Sequence, residues 1–170
     1  MGNIGKKVAI RAKSFGLKIK YNNRNRISRQ EEARYSAEYY SLKKLLKLCK
    51  YVLLLLPLNK QTEHLMNKNT FSVMRRDAYI INVARGKIIK EEDLVEALEK
   101  KKIAGAALDV FEFEPKVHRK LKYMKNTVLM PHAGSASLST RESMVDLACK
   151  NISDFLLFNK IKNIVNKDLI

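Results

Sequence analysis

The sequence alternates short, almost purely apolar runs with longer amphipathic ones, and this alternation restricts the available folds more than any other feature. Runs such as Val52-Leu53-Leu54-Leu55-Leu56 and Ala78-Tyr79-Ile80-Ile81-Asn82-Val83 are apolar at consecutive positions, as strands covered by helices on both faces should be. Strand and helix in turn feed a parallel sheet. Strands are expected at Leu17–Tyr21, Tyr51–Leu56, Ala78–Val83, Ala106–Val110 and Thr127–Met130, with a weaker one near Ala37–Tyr39. Helices fit at Lys6–Phe15 (closed by Gly16), Ser41–Cys49, Asn67–Met74 and Glu91–Lys101, with a long one from about Thr140 to Phe158. Ser139 with Glu142 three residues on reads as a capping box for that last helix, whose apolar stripe runs through Met144, Ala148, Ile152 and Phe155. The expected architecture is a doubly wound α/β sheet.

Composition narrows the function classes. A chain of 170 residues with 46% apolar content can bury a core and has the length of one domain. The net charge of +17 would suit a nucleic acid, but the cations run from Lys6 to Lys167 and their densest groups, Arg24 to Arg29 and Lys100 to Lys102, are short and separate. No aromatic platform accompanies them, so they read as a solvated basic surface, and no nucleic-acid partner is expected. Cys49 and Cys149 form no CxxC and suggest neither a disulfide framework nor a metal site, which fits a reducing compartment. The longest apolar run, Tyr51 to Leu58, holds eight residues including a proline, against about 20 for a membrane span. A cytoplasmic chain with no membrane partner is expected.

The opening Met-Gly-Asn-Ile-Gly places Gly2 and Gly5 at the head of a helix, where backbone amides can approach a pyrophosphate. About 20 residues past such a turn, an acid would hold an adenosine ribose diol. Here the stretch is Asn22-Asn23-Arg24-Asn25-Arg26, and Arg24 and Arg26 offer guanidinium forks that suit a 2′-phosphate, favouring NADP over NAD.

Three chemically coherent residues each follow a strand's carboxyl end, where an open α/β sheet carries its ligand crevice: Arg85, Glu114 and His132. An arginine can fix a substrate carboxylate, and a histidine beside a glutamate can hand a proton to a developing alkoxide. Glu112 lies two residues from Glu114, but the adjacent Pro115 and the spacing to His132 favour Glu114. His64 and His118 show no partner pattern and are expected to be surface groups.

Together the motifs Gly2-Asn3-Ile4-Gly5, Pro57-Leu58-Asn59, Ile81-Asn82-Val83-Ala84-Arg85-Gly86, Ala107-Leu108-Asp109-Val110-Phe111 and Pro131-His132-Ala133-Gly134 resemble the D-isomer-specific 2-hydroxyacid dehydrogenase family, over its cofactor domain and C-terminus. Tyr21-Asn22-Asn23-Arg24 and Phe-Glu-Phe-Glu-Pro look most like fungal glyoxylate/hydroxypyruvate reductases. The resemblance implies that Arg85 binds the 2-oxo-acid carboxylate and carbonyl, that His132 is the proton donor and acceptor, and that Glu114 orients it. It also implies that Asn3 and Ile4 lie along a pyrophosphate and Asn23, Arg24 and Arg26 at the adenosine ribose. Leu56, Val83, Ala84 and Asp109 would surround the adenine and nicotinamide, and Gly134 would let the backbone pass close to the ligand. The implied cofactor is NADP or NAD, the implied substrate a small 2-oxo or 2-hydroxy acid, and the implied full-length assembly a homodimer.

Against that family's pattern, the first motif glycine, the first strand of the sheet and the leading part of the substrate domain are missing. The expectation is therefore a Rossmann-like domain over residues 1–159, incomplete at its N-terminus, with 160–170 returning to an absent substrate domain. The other readings are a non-enzymatic dinucleotide sensor resembling a corepressor and, from charge alone, a nucleic-acid binder.

Overall fold

The computed structural model describes residues 1–160 and 162–164. The chain divides into two units, Met1–His132 and a second from Ala133 onward. Of the tail expected at 160–170, residues 161 and 165–170 lie outside the described residues.

Six short parallel strands organise the first unit. Strand β1 (Ile19–Tyr21) pairs with β2 (Ala37–Tyr39), Ile19 opposite Ala37. A second sheet runs β3 (Tyr51–Leu54), β4 (Tyr79–Asn82), β5 (Gly105–Leu108), β6 (Thr127–Leu129) in sequence order, all parallel. Except for β2, each strand is shorter than its expected run because pairing stops where the chain turns. Every strand expected is present, but the sheet is in two pieces. In a doubly wound sheet of order 3-2-1-4-5-6 the first strand stands between those two pieces, and no described residue takes that place.

Helices connect the strands. Helix α1 (Asn3–Ser14) starts directly after Gly2, three residues earlier than expected, and touches β1 and α2. Helix α2 (Arg29–Tyr35) was not anticipated; Ser28 caps it, accepting from the Glu31 amide at 3.2 Å. Helices α3 (Leu42–Leu48), α4 (Lys68–Ser72) and α5 (Glu91–Glu99) follow, with α4 packed on α5. In the second unit, α6 (Leu138–Phe158) is capped by Ser137, whose Oγ accepts from the Thr140 amide at 3.3 Å. The expected Ser139–Glu142 box does not form, since Ser139 already lies inside the first turn.

The core belongs to the four-stranded sheet. Val52, Leu54, Ile80, Ala106 and Leu108 point to one face, where they meet Leu46 of α3, Phe71 of α4 and Leu94 of α5. Leu53, Ile81 and Ala107 on the other face are half-buried. Beside β1 and β2 the buried apolar residues reduce to Ala9, Tyr21 and Ala37, none of them in that cluster.

Candidate active site

The turn after β4 is built by its last residue. Asn82 is fully buried; its amide donates to the Arg85 carbonyl at 3.0 Å and its Oδ1 accepts from the Ala84 amide at 3.1 Å. A buried carboxamide with both ends used fixes this loop and sends Arg85 out of the strand's end. Gly86 then lies so close to the next segment that a Cβ would stand 1.8 Å from the Phe111 carbonyl oxygen. No side chain fits there, so the Arg85 turn and the Phe111–Glu112 backbone are pressed together. The Arg85 guanidinium is exposed and donates to its neighbour's carbonyl, that of Ala84, at 2.6 Å.

Past β5, Glu114 turns back on its own segment and accepts from the Phe111 amide at 3.0 Å. Its other oxygen lies 2.9 Å from His132 Nδ1. Burial pushes the Glu114 carboxyl up, but the hydrogen bonds from His132 and Phe111 outweigh it and hold the group below the ordinary carboxylate value. It is a carboxylate at neutral pH, so Nδ1 carries a proton and donates, leaving Nε2 for a ligand. His132 stands just beyond β6 at a φ of 55°, in the left-handed region that an ordinary residue occupies only when its surroundings hold it there.

Arg85, Glu114 and His132 line one open cavity of about 580 Å³, with Leu58, Phe111 and Pro115 among its walls. The three residues predicted from strand ends therefore do converge. A second cavity of about 590 Å³ at the opposite strand ends, bordered by Arg76, Ile103 and Lys125, contains none of them.

Glu112 has a separate partner, which the sequence did not suggest. His64 is not a lone surface group: its Nε2 lies 2.6 Å from Glu112 Oε1. The other Glu112 oxygen accepts from the Glu91 amide at 2.8 Å, and the Glu112 amide returns a bond to Glu91 Oε1 at 2.6 Å. Burial pushes the Glu91 carboxyl above its ordinary value, against the lowering effect of the Glu112 and His118 amides. His118 accepts from the Lys120 amide at 3.3 Å. The Gly86 contact and this reciprocal pair tie the segments carrying Arg85 and Glu114 to α5.

The expected cofactor residues fall into four groups. Gly2 caps α1 with open space where a Cβ would be, and Asn3, Ile4 and Gly5 form the first turn, whose amides have no helical partner. Gly5 lies near the Leu55 side chain, beyond the end of β3. The Met1 amino group donates to the Asn23 side chain, so the chain start and the loop after β1 meet. Arg26 is committed elsewhere: its Nε and Nη2 both reach Glu32 at 2.7 Å, chiefly lowering that carboxyl to about 2. Arg24 is exposed and has no ion pair among the described residues. Leu56 is half-buried just past β3, Val83 is exposed and Ala84 buried after β4, and Asp109 is buried after β5 with its amide on the Asn82 carbonyl at 3.0 Å. Gly134 belongs to the second unit. Among the described residues no cluster of His, Cys, Asp or Glu could hold a metal, and no helix is long and apolar enough to cross a membrane.

The model of the D-isomer specific 2-hydroxyacid dehydrogenase NAD binding domain matches residues 1–134. The chain belongs to this dehydrogenase family. Its similarity to a glyoxylate reductase of Thermococcus onnurineus is 41% identity over 99% of the chain and 50% of the relative. A glyoxylate/hydroxypyruvate reductase B of an Enterobacter species is 44% identical over 98% of the chain and 52% of its own length. A solved glyoxylate reductase from Paecilomyes thermophila superposes with a TM-score of 0.89 at 35% identity, over 99% of this chain and 51% of that one. An NADPH-dependent glyoxylate/hydroxypyruvate reductase of Sinorhizobium meliloti, solved with NADP and malonate, gives 0.87 at 32% identity, over 94% and 49%. The 2-hydroxyacid dehydrogenases thus share the Rossmann-like fold seen here, and the chain spans about half the length of these relatives.

Proposed function

We propose that this chain supplies the cofactor-binding and acid–base half of an NAD(P)-dependent reductase that converts a small 2-oxo acid to a D-2-hydroxy acid. The observation that carries the reading is the 2.9 Å His132–Glu114 pair in the same cavity as Arg85. Named relatives that act on glyoxylate and hydroxypyruvate support it.

The residues present fit a dinucleotide. Gly2 leaves open space at the head of α1, that helix end attracts a pyrophosphate, and the loop after β1 lies against the chain start. When bound, the nicotinamide supplies the hydride. Arg85 draws the substrate carboxylate into the cavity and aligns the neighbouring carbonyl. The Glu114 carboxylate keeps the proton of His132 on Nδ1 and stabilises the charged imidazole, so Nε2 can deliver its proton to the carbonyl oxygen as that oxygen becomes an alcohol. His132 is recharged from solvent through the open cavity. With Arg26 held by Glu32, Arg24 is the guanidinium left to read a ribose 2′-phosphate, and NADP is the preferred cofactor.

The test is NADPH oxidation by the purified chain with glyoxylate and hydroxypyruvate, alongside NADPH binding by fluorescence. H132A is expected to lower the rate by about 10²–10⁴-fold with cofactor binding retained. R24Q is expected to weaken NADPH about tenfold and NADH little. A chain that binds neither dinucleotide would overturn the reading.

A further inference from the structure

The cavity holds more positive charge than a simple 2-oxo acid needs. Besides Arg85, its lining contains Lys87 and Lys116, and its two acids are both committed, Glu112 to His64 and Glu114 to His132. Neither lysine has an ion pair or side-chain hydrogen bond among the described residues. Their backbones are fixed. The Lys87 carbonyl accepts from the His64 amide at 2.8 Å, and the Lys116 amide donates to the Phe113 carbonyl at 2.9 Å. Basic residues are scattered over this chain, yet these two share one cavity with Arg85 and pair with no acid among the described residues.

We infer, on the reading above, that the substrate carries a second anionic group, a carboxylate or a phosphate, which Lys87 and Lys116 receive while Arg85 holds the 2-oxo carboxylate. The cavity volume of about 580 Å³ has room for a longer molecule than glyoxylate. Cations that line a concave wall reinforce one another, because the low-dielectric protein behind them focuses the field into the opening. An acid anionic at both ends therefore gains twice, whereas glyoxylate leaves the two lysines facing water.

Calorimetry on the chain with NADP present, at low ionic strength, tests this with four ligands: glycolate, D-malate, 3-phospho-D-glycerate and, as a dicarboxylate without the hydroxyl, succinate. At least one of D-malate and phosphoglycerate should bind about tenfold tighter than both glycolate and succinate, and whichever gains identifies the second group. K87Q and K116Q should each shrink that ratio at least about threefold, and R85Q should weaken all three hydroxy acids. Arg85-dependent glycolate binding with no gain for either D-malate or phosphoglycerate, or a gain that survives in both lysine variants, overturns this inference alone. Absence of Arg85-dependent binding by any hydroxy acid overturns it together with the proposed function.

Discussion

Glu112 and Glu114 stand two residues apart and serve different histidines, and Glu114 and Glu91, the acid paired with the Glu112 backbone, shift in opposite directions. Glu114 is held below the ordinary carboxylate value, so its contribution to stability is present above that value and is lost as pH falls through the depressed one. Thermal melts of wild type and E114Q should therefore differ near neutrality and converge well below pH 4.5, the reference value for this carboxyl. Glu91 lies on the other side of its reference value. Its raised value means that the folded state holds the proton more tightly, so ionisation costs stability as pH rises through it. E91Q keeps an oxygen for the Glu112 amide and is expected to gain on wild type as pH rises above 4.5, the reference value for this carboxyl, whereas E91A loses that acceptor and costs about 1–3 kcal/mol. Melting curves across this range decide it. Both histidine partners could not have been assigned alike from sequence. Glu114 announces itself through Pro115 and the run to His132, but His64, Glu91 and Glu112 are distant in sequence and meet only through tertiary packing.

At the scale of elements, what the chain's pattern revealed was where the strands lie and what it concealed was local chemistry. The apolar runs gave all six strands, and strand ends gave Arg85, Glu114 and His132, because a parallel sheet delivers its loops to one edge. Helix α2 was not anticipated because its seven residues bury none of their side chains and so show no apolar stripe, although Ser28 with Glu31 three residues on is a cap signal. The cap of α6 shows the limit of such signatures, since Ser137 and Ser139 are both plausible from spacing and backbone geometry alone selects the first. S137A is accordingly expected to lower α6 helicity and cost about 1 kcal/mol, and S139A to change little, as followed by circular dichroism. Asn82 reads as one more strand residue, yet both ends of its amide shape the Arg85 turn. N82A should cost about 2–3 kcal/mol and weaken hydroxy-acid binding along with it, measured by denaturant melts and calorimetry.

The first unit is uneven as a whole. Its hydrophobic cluster belongs to β3 through β6 and the helices packed there, and β1 and β2 contribute nothing to it. Hydrogen exchange should find amides of Ile80 and Leu108 protected to the global unfolding limit, and those of Ile19–Tyr21 exchanging through cheaper local openings. Equal protection in both sheets would contradict that division. The site belongs to the well-packed part, and the contact of Gly86 with the Phe111 carbonyl is what binds its two sides. G86A should cost about 3 kcal/mol or more, since the opposing atoms are backbone and cannot swing aside. That contact also acts as a gauge. The guanidinium and the Glu114 carboxylate that holds the imidazole are mounted on abutting pieces of main chain, which limits how far the site can stretch to suit the molecule that arrives. If Arg85 holds the carboxylate and His132 serves the neighbouring carbonyl, as proposed, a carbonyl one carbon further along, as in a 3-oxo acid, would be out of register, and acetoacetate should be a poor ligand however many charges surround the opening.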